Sequence, residues 1–259
     1  MIDRDYGSEI REAVRNFWMS RKGAGVKQAE LNDADRGERA NVTSGKHLDR
    51  LADFFSALVD DVDVSRPSVK KKARLTTLPG FFRPTKKWDL LIHSDKRLIA
   101  AIELKSHVGP SFGNNSNNRA EEALGNAVDF WTAYREGAFG QSTRPFLGYI
   151  MLLEDCPAVH VKPIRPIKSS YFDVFGEFKF ASYADRYRLL CEKLVLESLY
   201  TSAAVILSPR TADGNGEYSE LSPSSGLTTF IAELRGKLLA QVRQNEQLTV
   251  RLREDPPAN

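Results

Sequence analysis

The sequence predicts an α/β fold, a mixed β-sheet flanked by helices. Three observations carry this reading. Two short apolar runs, Leu90 to Ile92 and Leu98 to Ile102, stand on either side of the polar cluster Ser94-Asp95-Lys96-Arg97, as the strands of a hairpin do. Phe146 to Leu153 is apolar without interruption, the pattern of a strand buried on both faces. Several other segments repeat apolar residues at helical rather than alternating spacing.

Ile10, Val14, Phe17 and Trp18 place an amphipathic helix over 9–21 with its aromatic rings in the core. A polar segment from Lys22 to Lys46 leads to a second helical pattern, Leu48, Leu51, Phe55 and Leu58. Lys70, Lys71, Lys72 and Arg74 form the densest basic run, which suits either phosphate contact or a solvated face. After the hairpin comes an asparagine-rich loop, Asn114-Asn115-Ser116-Asn117-Asn118-Arg119. Asn118 is expected as the N-cap of the next helix, with Glu121 three residues on and a buried stripe of Ala120, Ala123, Leu124, Ala127, Trp131 and Tyr134. The strand from Phe146 is placed beside the hairpin at the centre of the sheet. Residues 157–180 lack periodicity and read as a loop excursion. A helix from about Tyr183 to Ser198, a strand from about Ala203 to Leu207 and a turn-rich, mobile surface loop from Ser208 to Ser225 follow. The last helix, about Leu227 to Arg253, carries Phe230, Leu234, Leu238 and Val242 on one stripe, and a tail that frays.

With 259 residues and 41% apolar content the chain can bury a substantial core, and one domain over 1–259 is expected, with a central portion at about 78–155 and a C-terminal helical segment at about 226–253. Lysine plus arginine exceed the acids by only 37 to 34, so a nucleic-acid face has to come from local clustering rather than net charge. Cys156 and Cys191 are too few for a zinc site and fit a reducing compartment. Neither a signal-like N-terminus nor a run of ~20 apolar residues is present, so the expectation is a cytoplasmic protein with no membrane partner.

The chemistry concentrates in the hairpin. If its loop is the three residues Asp95 to Arg97, Ser94 faces Leu98, and counting outward in antiparallel register sets Asp89 opposite Glu103. Lys105 lies two residues beyond Glu103 and shares its face. Two facing carboxylates repel unless a cation neutralises them, and oxygen ligands suit Mg²⁺, with the backbone carbonyl of Leu104 as a further ligand. A metal so held can activate water and clamp a phosphodiester, with Lys105 positioning the attacking water or stabilising charge on phosphorus. A surface ion-pair cluster is the competing reading. A second Glu-x-Lys, at Glu177 and Lys179, has its upstream acid, Asp173, too close for a hairpin.

The run from Leu78 through Pro-Gly-Phe-Phe-Arg-Pro-Thr-Lys-Lys-Trp-Asp-Leu-Leu, followed by Ala-Ile-Glu-Leu-Lys-Ser-His-Val-Gly-Pro-Ser-Phe-Gly-Asn-Asn-Ser-Asn-Asn-Arg, closely resembles the XhoI family of type II restriction endonucleases, members of the PD-(D/E)xK nuclease superfamily. Here Trp88, not proline, precedes the first acid. The resemblance implies a restriction-endonuclease-like core, Asp89, Glu103 and Lys105 as the nuclease triad, Mg²⁺ as cofactor and double-stranded DNA as substrate. It also implies a palindromic target, CTCGAG or a close variant, cut to leave 5′ overhangs by a homodimer in a prokaryotic cytoplasm, with a methyltransferase as functional partner. Glu38, in the matching Gly37-Glu38-Arg39, is implied as a fourth acid, against an ion pair with Arg36 or Arg39; Glu122 is the alternative. For DNA contact the candidates are Arg83, Lys86, Lys87 and His107 around the triad. Asn114, Asn115, Asn117, Asn118 and Arg119 are the candidates for base readout, since Asn pairs bidentately with adenine and Arg with guanine, with Asx turns as the competing explanation. A structure-directed or repair nuclease with the same triad, and a non-catalytic DNA-binding protein, are the alternatives.

Overall fold

The computed structural model describes residues 6–30, 48–60, 62, 67–70, 76–94, 97–110, 112–140 and 143–254. Helices α1 (Gly7–Glu30) and α2 (Asp49–Asp60) come first, then strand β1 (Pro67–Lys70). A small hairpin, β2 (Thr77–Pro79) and β3 (Thr85–Lys87), leads into β4 (Leu90–Ser94) and β5 (Arg97–His107). Helix α3 (Phe112–Arg135), strand β6 (Phe146–Glu154), the one-turn α4 (Pro157–His160), helix α5 (Tyr183–Leu196), strands β7 (Ser202–Ser208) and β8 (Ser219–Glu220), and helix α6 (Leu227–Glu254) complete the order.

The main sheet runs β1-β4-β5-β6-β7-β8, and β2 and β3 pair separately. Its centre, β5-β6-β7, is parallel, while β1, β4 and β8 join antiparallel. The expected mixed sheet is therefore observed. All nine residues of β6 are buried, as its unbroken apolar run requires of a central strand.

Alternation along the strands divides the core into two layers. Leu90, Ile92, Ile102, Leu104, Ile150 and Ile206 face Val14 and Phe17 of α1, Phe55 and Leu58 of α2, and Phe230 and Leu234 of α6. Leu91, Ala101, Tyr149, Met151, Val205 and Leu207 face Ala123, Ala127 and Phe130 of α3 and Tyr187 and Leu194 of α5. Residues 103, 105 and 107 belong by parity to this second face, and α3 and α5 therefore set their surroundings.

Three local expectations change. Helix α1 continues past residue 21 to Glu30. Helix α3 begins at Phe112, directly after Gly109-Pro110 ends β5, so Asn118 is not an N-cap and residues 114–119 form the first two turns of a helix rather than a loop. Anchoring by Phe112, buried against His107 and Tyr183, outweighs the weak helix preference of asparagine. The 208–225 stretch is docked rather than free: Trp18 Nε1 donates to Ser208 Oγ at 2.8 Å, Ala212 is fully buried, and Lys22 pairs with Asp213.

That docking depends on Gly216, which has φ of +69° and lies against α1 so closely that an added Cβ would fall 1.8 Å from the Arg11 carbonyl oxygen. Neither backbone can yield cheaply. Gly216→Ala is expected to cost about 3 kcal/mol or more, read as a lowered melting temperature, while Gly214→Ala, whose Cβ would meet nothing closer than 3.9 Å, leaves stability within about 1 kcal/mol of the parent.

Candidate active site

Strand β4 starts one residue after Asp89, and Leu90 pairs with Ile102, so Asp89 stands opposite Glu103 at the end of the ladder. The registers that lead there differ from the expected ones. Ser94 pairs with Arg97, one residue earlier than predicted, and a bulge between Ile92 and His93 absorbs the surplus by leaving Ile99 without a partner in the ladder. The two deviations cancel before the functional end of the hairpin.

At that end the backbone N–H of Leu104 donates to Asp89 Oδ2 at 2.8 Å. Glu103, 2% exposed, is held by two ammonium groups: Lys105 Nζ at 2.5 Å from Oε1 and Lys86 Nζ at 2.8 Å from Oε2. Lys86 arrives from β3, lies 4.6 Å over the Trp88 ring and donates to its neighbour's carbonyl at Lys87. Two carboxylates and two lysines thus converge where β4 begins, on the face of the sheet that helix α3 covers.

Burial, and then the negative charge of Glu103, raise the Asp89 carboxyl to about 6, against the pull of the Leu104 N–H and of Lys105 and Lys86. Burial pulls the Lys105 amine down, but the Glu103 carboxylate outweighs it, with help from Asp89 and Glu122, and the amine is held above its ordinary value. No group of three or more His, Cys, Asp or Glu side chains able to hold a metal occurs among the described residues. Asp89 and Glu103 supply two carboxylates, a donor set that fits a hard cation whose remaining positions go to water, a backbone carbonyl and substrate oxygens.

The other sequence-predicted residues are spread around this centre. Glu38 lies outside the described residues, as do Lys71, Lys72 and Arg74. Glu122 pairs with Arg119 at 2.7 Å and contributes to the field at Lys105. Arg119, Glu122, Asn126 and Asp129 follow helical spacing along one face of α3. Asn115, Asn117 and Asn118 are exposed on the turns that precede them. Lys87 is exposed, Lys86 is turned inward onto Glu103, and Arg83 is bound to Asp129 and Asn126. His107 is 3% exposed, with Nδ1 against the Tyr187 hydroxyl at 2.5 Å and its ring beside Phe112. It is a packing residue in this arrangement, because β5 keeps it on the face covered by α3 and α5.

Sequence reasoning missed Asp129. Its Oδ1 accepts from the backbone N–H groups of both Phe81 and Phe82 at 2.8 Å, and its Oδ2 from Arg83 Nε at 2.8 Å. Burial opposes its charge, but these donors hold the carboxyl below its usual range. Nothing in the spacing of residue 129 relative to 81–83 signals this, since the contact spans more than forty residues.

Residues 27–220 match the family model for restriction endonuclease XhoI. The chain is 48% identical over 210 residues to the type II restriction enzyme BstVI of Geobacillus stearothermophilus, covering 79% of this chain and 92% of that one. It is 43% identical over 208 residues to the type II restriction enzyme XhoI of Xanthomonas vasicola, covering 79% and 82%. To AbrI of Azospirillum brasilense, also a type II restriction enzyme, it is 54% identical over 157 residues, 59% of this chain and 68% of that one. No solved structure gives a significant match.

Proposed function

The chain belongs to the XhoI family of restriction endonucleases, type II site-specific deoxyribonucleases that act on double-stranded DNA, and from that premise we propose that it is a Mg²⁺-dependent enzyme cutting a palindromic target, CTCGAG or a close variant, to leave 5′ overhangs. The observation that carries the catalytic part is the convergence of Asp89, Glu103 and Lys105 at the open end of the β4–β5 hairpin.

Asp89 and Glu103 would hold the cation. Leu104 would add its carbonyl, because an extended residue turns its N–H and C=O to the same edge, and its N–H already points to Asp89 where β4 has ended. Mg²⁺ bound there supplies Lewis-acid stabilisation for charge that develops on the scissile phosphate. Lys105, fixed by Glu103 yet more open than Lys86, positions the attacking water and offsets the same developing charge. Arg83, Lys87 and the exposed asparagines of α3 flank the path that a duplex would take, with Asn115, Asn117, Asn118 and Arg119 nearest the base edges. Asn114 shares those turns by position. Glu38 or Glu122 would complete the acidic set.

A palindrome has two-fold symmetry, so a homodimer is the matching assembly, and a methyltransferase that modifies the same site is the required functional partner. No helix of the described residues is long and apolar enough to cross a membrane.

Digestion of a long, fully sequenced, unmethylated DNA in Mg²⁺ or in EDTA, with the fragment ends sequenced, tests the whole reading. Discrete Mg²⁺-dependent ends sharing one palindrome are expected, with complementary 5′ extensions. Diffuse degradation removes the target and the asparagine readout, and a cut that ignores Mg²⁺ removes the metal.

A further inference from the structure

The turn between β2 and β3 carries two large aromatic side chains into solvent: Phe81 is 51% exposed and Phe82 68% exposed, their rings edge to face with centroids 5.0 Å apart. Exposed rings on a turn usually belong to a loosely held backbone. This backbone is clamped. Asp129 takes the N–H groups of both residues on one oxygen and Arg83 on the other, Arg83 also binds Asn126 at 2.7 Å, and Gly80 N–H donates to the Pro84 carbonyl at 3.3 Å. Gly80 is required for the fit, since a Cβ there would lie 2.5 Å from the Arg83 carbonyl oxygen and 2.7 Å from Asp129 Oδ2. A buried carboxylate therefore orders a tip whose own rings stay in water, and the entropy of fixing it is spent before any partner arrives.

We propose that Phe81 and Phe82 form a rigid aromatic wedge that enters duplex DNA beside the cleaved phosphate and unstacks a base step there. This rests on the reading of the chain as a DNA-cleaving enzyme. The strand that leaves the wedge delivers Lys86 to Glu103, so the small hairpin that carries the tip is tied directly to the candidate metal centre. Only Arg83, Pro84 and Thr85 separate Phe82 from Lys86 in the chain, so the tip stays close to the residue that reaches Glu103. Lys87, exposed at the end of the same hairpin, adds positive charge that suits a phosphate beside an opened step. Apolar wedges of this kind open the stack and bend the helix, and an enzyme that reads a short site gains contacts from the bend.

The test uses the full chain and a duplex bearing the cut site found by end sequencing, with 2-aminopurine placed in turn within about five base pairs of the cut and Ca²⁺ in place of Mg²⁺. Wild-type protein is expected to raise the fluorescence several-fold at one step. The double variant Phe81→Ala, Phe82→Ala is expected to lose that rise and at least about tenfold of kcat/KM, with an unchanged melting temperature because both rings lie outside the core, and Phe82→Trp is expected to retain the rise. A wild-type complex with no fluorescence rise at any position overturns the wedge. So does a double variant that cuts and unstacks as wild type does, or one whose only defect is dissociation of a dimer in sedimentation without DNA, which assigns the rings to a contact between chains. Failure of the wild type to cut any DNA is a separate result and removes the catalytic reading on which the wedge rests.

Discussion

Asp89→Asn is expected to give a protein that is more stable than the parent and at least about 10³-fold slower at cutting DNA. Both effects have one cause. Asp89 is half-buried opposite Glu103, and its carboxyl is raised to about 6, above the ~3.9 of an unfolded aspartate. A carboxyl raised on folding favours the folded state fully below the unfolded value, and that contribution is lost as pH rises through the folded value. Between about pH 4 and pH 6 the parent should therefore lose on the order of 2 kcal/mol, and remain without it above pH 6. Asparagine resembles the protonated acid and can still accept the Leu104 N–H, so the variant escapes that loss. Thermal melts in EDTA should coincide near pH 4 and separate by about 4–8 °C at pH 8, with the variant higher. Adding Mg²⁺ should raise the parent and leave the variant unmoved, because the cation stabilises only a fold that can bind it. A parent as stable as the variant at pH 8 in EDTA would mean that neither loss of solvent nor Glu103 strains the ionised Asp89.

The hairpin shows what could be read in one dimension. Asp89, Glu103 and Lys105 were legible because strand parity and antiparallel counting need only sequence separation, and these survive small errors in pairs: the tighter turn and the bulge displaced the register by one residue each, in opposite senses. The buried strand β6 and the helix from about Tyr183 were legible for the same reason, as local patterns. The start of α3 was not, because Phe112 owes its position to His107 and Tyr183, a tertiary contact that overrides the capping preference of Asn118. The β2–β3 hairpin was hidden as well. Its strands have three residues each, too few to show a period, and its turn is ordered by Asp129 from another element. With that hairpin unseen, Lys86 read as a free cation for phosphate, whereas its side chain is 10% exposed and neutralises Glu103.

Lys105 and Lys86 each neutralise one oxygen of Glu103, and their removal is expected to have different consequences for the metal and for the reaction. Either deletion leaves the two carboxylates facing one lysine, so a purely electrostatic role predicts the same result for both. Their surroundings differ. Lys86 is enclosed by the Trp88 ring, the Lys87 carbonyl and Glu103, and it stands where a cation on Oε2 would have to sit. Lys105 is 24% exposed and holds the other oxygen of the same carboxylate, so it is the more open of the two ammonium groups. Lys86→Met should therefore lower the half-saturating Mg²⁺ concentration roughly three- to tenfold by freeing a ligand oxygen, with cleavage at saturating metal falling by less than about tenfold. Lys105→Met should leave Mg²⁺ and DNA affinity within about threefold of the parent and remove at least about 10³-fold of kcat, because its charge is needed when the phosphate accumulates its own. Titration calorimetry with Mg²⁺ and single-turnover cleavage on the same preparations separate the two. If both variants lose cleavage equally and both tighten Mg²⁺, the ammonium groups are interchangeable counterions and neither is placed for the chemical step. The predicted split instead assigns Lys86 to neutralising the Glu103 carboxylate and Lys105 to the reaction.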